Sequence, residues 1–519
     1  MQRFFVFFIV FFFQFNCYSY SEQLRKSIDS QVDEYIEKSW DTLTRNSKDL
    51  FLTNADEKLS EAQSIIYLPA HENLVAIRDK ITKNWQTKTT NRVIFKYLPK
   101  DVSTIKQHGL LYLPYPYVVP GGRFNEMYGW DSYFIELGLL EHNRLKMARN
   151  MIDNLIYEIN FYGTILNANR TYYLQRSHPP LLTEMILAYF NKSHDKHWLK
   201  STVPAIQKLH KYWTTPPHLI SKLGLSRYCA GGSGRPPEES SVYYANVLNF
   251  YKTHPIEDYD KSLFYNAKSN QLTSQFYVAD RTVRESGFDI TGKYGPFSAG
   301  IQDYAPVDLN VLLYQMEKDL HEIYMILGDN SRAAHWAKNA NKRARLINQY
   351  LWSEETGYYF DYNFKTNQLR PYIYATTYYP LWAGIASNKQ AQAVVSNLHD
   401  LLAKGGILTS CYKQGVQWDA PFGWAPLQYF AVRGLERYGY KKQALDIATR
   451  FIRTINKGYE ETHTLFEKYD VRSMSPHTEN KIQYSYKTNV VGFGWTNGVY
   501  LVFRTFINSS ATRRSSSSA

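Results

Sequence analysis

Cysteine is nearly absent, with three residues in 519. Cys17 falls at the end of an apolar N-terminal stretch, which leaves Cys229 and Cys411. Two thiols so far apart cannot build a disulfide framework or a metal cluster, and the spacing leaves open whether they pair. Alternating, strand-like segments are scarce too. Asn91 to Tyr97 and Gly357 to Tyr362 are the best short candidates, which excludes all-β and doubly wound architectures. A membrane-spanning run is also missing: the longest apolar stretch, Phe4 to Phe15, has about a dozen residues where roughly 20 are needed. Followed by Asn16, Cys17, Tyr18 and Ser19, that stretch predicts a signal peptide over 1–19 and a secreted chain with no stable membrane anchor. The formal charge of +13 is spread along the chain rather than clustered, so nucleic acid is not an expected partner. Arg513 and Arg514 form the one dense basic spot, in a Ser-rich tail (508–519) expected to be disordered.

What the chain has in quantity is helical periodicity. Ala148, Met151, Ile152, Leu155, Ile156 and Ile159 recur in steps of one to four that place them on one helical face. The same period marks Val203 to Trp213, Leu309 to Leu327, Ala333 to Leu351, Ala391 to Leu402, Pro426 to Tyr438 and Ala444 to Ile455. Gly328, Asp329 and Asn330 divide one pair of helices, and Gly439 with Tyr440 another, which predicts helical hairpins. Hairpins repeated without an evident linker predict a mainly α chain forming one toroid of paired helices over 20–507.

Between the helices run long segments rich in Gly, Pro, Trp and Tyr, such as 112–133, 163–180, 284–306, 409–428 and 458–497. Loops of that length are expected to carry function. Their carboxylates, arginines, amides and aromatic rings form the mixture that binds carbohydrate, in which polar groups meet hydroxyls and rings stack on C–H faces. Hydrolysis of a glycosidic bond adds the demand for two carboxyl groups across it. Asn169, Asn191 and Asn508 each begin an Asn-x-Ser/Thr sequon, so a glycoprotein is expected, with Asn169 the least suited because it lies within one of these loops.

PYVVPGGRFNEMYGWDSYF (116–134) resembles the first signature of trehalases, and GVQWDAPFGWAPLQ (415–428) resembles the second. NANRTYYLQRSHPP (167–180), RESGFDI (284–290), APVDLNVLLY (305–314), HTLFEKYD (463–470) and GFGWTNGVYLVF (492–503) are similar to further trehalase blocks in the same order. The resemblance implies an (α/α)6 barrel and hydrolysis of α,α-trehalose to two glucose molecules with inversion, without a metal or organic cofactor. It places the general acid at Asp289 and the general base at Glu467. It also places substrate contacts at Arg123, Trp130, Asp131, Asn167, Arg176, Ser177 and Gly287, a pocket wall at Trp418 and a hydrogen-bonding support at Asp419. For inversion, the carboxyl groups must stand roughly 6.5–9.5 Å apart, to leave room for the attacking water.

Four departures from the family pattern stand out. His178 replaces a Gln after Arg-Ser, and histidine adds charge near pH 6.5 when its pKa is unperturbed. Phe288 replaces a Trp before the acid. In GRPPEESS (234–241) Glu238 matches a substrate-binding position, and Arg235 matches one with a one-residue ambiguity. The glycine run expected after Glu467 is absent: 471–491 reads VRSMSPHTENKIQYSYKTNVV, with Tyr486 where the family has a substrate-binding Glu and Glu479 as the nearest acidic residue. Loss of glycines changes how a loop closes over a ligand. Two other readings therefore stay open: a sugar-binding protein that has lost turnover, and a hydrolase of another glucoside.

Overall fold

Residues 28–46, 64–83, 93–478, 481–483 and 489–517 are described by the computed structural model, with side chains to 511. Twelve helices in chain order build an (α/α)6 barrel: α1 (28–43), α2 (Asp131–Glu141), α3 (Leu145–Phe161), α4 (Leu182–Ser193), α5 (Lys196–Trp213), α6 (Val307–Ile326), α7 (Asn330–Tyr350), α8 (Tyr379–Ala383), α9 (Asn388–Ser396), α10 (Ala425–Arg437), α11 (Lys441–Thr462) and α12 (Gly494–Ser517). The even-numbered helices pack side by side as a closed inner ring, α12 returning to α2, and the odd-numbered ones lie outside them.

Local chemistry explains the hairpins. Gly328 (φ 80°) ends α6 in a left-handed conformation open to glycine, and the Asp329 side chain caps α7 by accepting from Arg332 N at 2.9 Å. Ser387 and Gln390 form a reciprocal capping box at the start of α9. Outer helices show the predicted stripe: α3 buries Ala148, Met151, Ile152, Leu155 and Ile159. Inner helices are buried nearly all round, as in α2, where Asp131 to Glu136 all lie out of solvent. The ring is closed through chain ends far apart in sequence, since Asp29 accepts from Tyr500 Oη (3.2 Å) and from Asn456 Nδ2 (2.7 Å).

Several sequence expectations change. The segment expected as one helix from Ala391 to Leu402 stops at Ser396, and Leu402–Ala403 pairs as a strand with Gly406–Ile407. Val93–Tyr97 is a strand in a three-stranded parallel sheet, beside Ser64–Leu68 and then Leu110–Leu111. Gly357 to Tyr362 divides between two separate antiparallel pairings. Helix α12 continues through the Ser-rich segment to Ser517. Cys229 and Cys411 are free thiols. Among the described residues no helix is long and apolar enough to cross a membrane.

Between α5 and α6 the chain adds helices Ser241–Thr253 and Ser274–Glu285, which share a separate apolar core around Tyr244, Val247, Tyr251, Phe276 and Phe297. This addition carries part of the site described below, supplying Tyr243, Asn246 and Arg284 to it.

The tightest helix contact in the ring is that of α2 with α12, where Gly138 and Gly498 face each other. A Cβ on Gly498 would fall 1.8 Å from the Phe134 carbonyl oxygen, and one on Gly138 would meet the Trp40 ring at 2.7 Å. Gly498→Ala is therefore expected to destabilise the fold by about 3 kcal/mol or more. Urea unfolding measures this, and an unchanged midpoint would contradict the packing.

Candidate active site

Inner helices α2, α4, α10 and α12 follow Trp130, His178, Trp424 and Phe493, and all four residues line one cavity of about 600 Å³. That is within the roughly 300–1,000 Å³ usual for small-molecule sites. Arg123, Asp131, Asn167, Arg176, Glu238, Gly287, Asp289 and Glu467 also line it. Loops remote in sequence therefore converge on one cavity.

The two candidate catalytic carboxyls have different surroundings. Asp289 leaves a third of its side chain open to the cavity. Burial pushes its pKa up to about 7, against the pull of Arg284 and then Arg176. Glu467 is 3% exposed, and Lys468 Nζ lies 2.7 Å from its Oε2. Lys468 is itself buried, which lowers its pKa against the pull of Glu467, and it sits 5.0 Å above the Trp424 ring, so the Glu467 carboxyl that lines the cavity has a buried lysine beside it. Asp131, in the first turn of α2, is raised well above the usual carboxylate range, by burial first and then by Glu467 and Asp289.

The second signature segment ties these carboxyls to the barrel. Gln417 Nε2 donates to the backbone oxygen of Asp289, and Trp418 N donates to that of Ile290 at 3.2 Å. Asp419 accepts from Gly292 N (2.9 Å) and Ser410 Oγ (2.8 Å), the support expected of it. Phe422–Trp424 then pairs antiparallel with Lys468–Asp470, Trp424 opposite Lys468. Trp495 Nε1 donates to the backbone carbonyl oxygen of Glu467 at 2.8 Å.

Arg176 and Asn167 form one wall. Arg176 Nη2 donates to Glu238 Oε1 at 2.7 Å with its guanidinium 4.5 Å above the Tyr173 ring, and Asn167 Nδ2 donates to the Arg284 oxygen at 3.1 Å. Gly287 (φ 77°) passes so close to the Trp130 indole that a Cβ would meet it at 3.0 Å. Trp130 combines lining with packing, its ring standing 5.7–5.9 Å from those of Phe288, Trp418 and Trp495. Phe288 is buried among these rings, off the cavity.

Ser177 and Arg235 do not line the cavity. Ser177 is buried, its hydroxyl donating to the Ile165 oxygen at 2.6 Å. Arg235 stacks over Tyr244 at 4.9 Å and donates to the Glu239 oxygen. The guanidinium beside Asp289 belongs to Arg284, which sequence reading passed over although it opens the RESGFDI block. Glu239, Tyr243, Asn246, Gln417 and Gln483 were passed over as well and line the cavity. Glu479 and Tyr486 lie outside the described residues.

His178 departs from expectation in charge. Burial, with Arg176 adding to it, holds its pKa well below 6.5. Trp130 N donates to its Nδ1 at 3.2 Å, which leaves the proton on Nε2, a neutral donor like the amide of the glutamine it replaces. His178→Gln is expected to leave the acid limb of the pH–rate profile in place, and a shifted limb would show that the imidazole titrates in the working range.

A family model described as Trehalase matches residues 16–508. The chain is 38% identical over 482 residues to a cytosolic neutral trehalase of Kluyveromyces lactis, covering 80% of this chain and 63% of that protein. It is 39% identical over 439 residues to a cytosolic neutral trehalase of Saccharomyces cerevisiae, covering 77% and 58%. It thus spans less than two thirds of the length of these relatives. The solved neutral trehalase Nth1 from Saccharomyces cerevisiae superposes with a TM-score of 0.80 at 33% identity, covering 94% of this chain and 95% of that one.

These relatives are named as cytosolic, which overturns the expectation of a secreted glycoprotein with a signal peptide. That expectation rested on apolar composition over 1–19, which lies outside the described residues. Asn169 moreover is fully buried, donating to the Leu111 oxygen (3.0 Å) and accepting from Met127 N (2.8 Å), so its sequon is closed to modification. By the extent of the match, by the barrel and by the signature loops gathered around its cavity, the chain belongs to the trehalase family.

Proposed function

We propose that the protein hydrolyses α,α-trehalose to two glucose molecules with inversion, Asp289 acting as general acid and Glu467 as general base. The observation that carries this reading is the contrast between two carboxyls on one cavity: Asp289, pushed up to about 7 by burial, and Glu467, paired with a buried ammonium. A carboxyl near 7 is about half protonated at neutral pH, where an ordinary aspartate is ionised, and the protonated form can give its proton to the glycosidic oxygen as the leaving glucose departs. The carboxylate of Glu467 takes a proton from water attacking the anomeric carbon from the other side of the ring. Lys468 stabilises the negative charge of that carboxylate and fixes its direction. Asp131, held neutral by burial, donates to a sugar hydroxyl, and Arg123 and Arg176 supply directed donors. Trp130 and Trp418 offer ring faces and edges to the sugar.

Release of glucose from trehalose by the purified chain, compared with other α-glucosides, tests the substrate. Asp289→Asn and Glu467→Gln are each expected to lower kcat by about 10²–10⁴-fold while circular dichroism stays unchanged. A near-normal rate in either variant would remove that residue from the mechanism. Because the acid works protonated, activity should fall on the alkaline side as the pH rises through about 7.

A further inference from the structure

We propose that Arg284 is a positioning residue that aims the Asp289 carboxyl and sets the alkaline limb of the rate profile, with Glu239 as its counterweight. The proposal rests on Asp289 being the general acid. Arg284 stands in the last turn of helix Ser274–Glu285, and its side chain is 9% exposed. Its Nη1 is 3.6 Å from Asp289 Oδ2 and 3.2 Å from Glu239 Oε1, so one nitrogen serves two carboxyls. Its Nη2 donates to Asp280 Oδ1 at 3.1 Å. Asp280 is itself fixed by the hydroxyls of Tyr243 (3.3 Å) and Tyr244 (2.8 Å), so the guanidinium is anchored behind and free to act only forward.

Charge balance around this guanidinium gives the direction of its effect. Its own helix contributes Asp280, the loop before Ser241–Thr253 contributes Glu238 and Glu239, that helix contributes Tyr243, and the loop beneath contributes Arg176. Arg176 pairs with Glu238, and Asp280 pairs with Arg284 from behind. Asp289 and Glu239 then share Arg284, while Asp289 also faces Arg176, Asp131 and, beside Glu467, Lys468. Arg284 opposes the upward push of burial on Asp289, and Glu239 works in the same sense as burial. An opposite charge at this distance displaces a carboxyl by roughly one to three pH units.

The experiment measures kcat against pH on trehalose for the full chain, Arg284→Gln, Arg284→Lys and Glu239→Gln, with melting curves for each. Arg284→Gln should move the alkaline limb up by about one to three units. Arg284→Lys keeps the charge and should return the limb toward its original place, and Glu239→Gln should move it down. A purely structural role would lower the rate and leave every limb where it was, which would overturn the proposal. If Arg284→Gln fails to fold, the Glu239→Gln limb decides: a downward shift supports the proposal and an unmoved limb overturns it. Loss of glucose release in the unmutated chain would instead overturn the reading of Asp289, and this one with it.

Discussion

The segment from Gln417 to Trp424 holds both candidate catalytic carboxyls, and the rest of the site depends on it. At one end Gln417 and Trp418 bond the backbone beside Asp289. At the other, Phe422–Trp424 pairs with the strand that begins one residue after Glu467. Trp418 and Trp424 stack with centroids 3.8 Å apart and planes 7° from parallel, which stiffens the span between those attachments. The placement of the two carboxyls is therefore tied to a short, buried and doubly anchored piece of chain. The barrel contributes by pinning that piece: α10 starts immediately after Trp424, and α12 starts just before Trp495, whose indole reaches the Glu467 carbonyl.

Burial then gives the carboxyls different environments. Asp131, Asp289 and Glu467 converge on one cavity, and three carboxylates so close cannot all be ionised cheaply. Asp131 is raised furthest from the usual carboxylate range, Asp289 is raised to about 7, and Glu467 has Lys468 beside it. The same residue chemistry thus stands in three environments, two raised by burial and the third beside a lysine. His178 follows the same logic, since a cation there would face Arg176 without solvent.

The outer helices were legible in the sequence because one face meets the inner ring and the other meets water, which leaves a stripe at period 3.6. Helices α2 and α4 leave no such stripe. They are apolar or packed on nearly every side, and their polar residues, such as Asp131, Ser132 and Glu136, are buried too. Of the residues that line the cavity, those inside signature blocks could be named from the sequence, Asp289 and Glu467 among them. Arg235 was misplaced because its block carries an extra proline and the ring of Tyr244 captures its guanidinium. Arg284 and Glu239 sit beside residues that were recognised, so their charge was the available signal. Tyr243 and Asn246 gave none, since their role comes from the added helix pair standing over the cavity. The secretory expectation failed because composition at a terminus carries no information from packing.

The central claim is that water attacks from the Glu467 side while Asp289 protonates the oxygen leaving on the other. Following the first turnovers on trehalose by proton NMR, before the glucose anomers equilibrate, tests it directly. Inversion at one anomeric carbon and retention of the untouched one predict equal amounts of β- and α-glucose. Release of α-glucose alone would contradict the account.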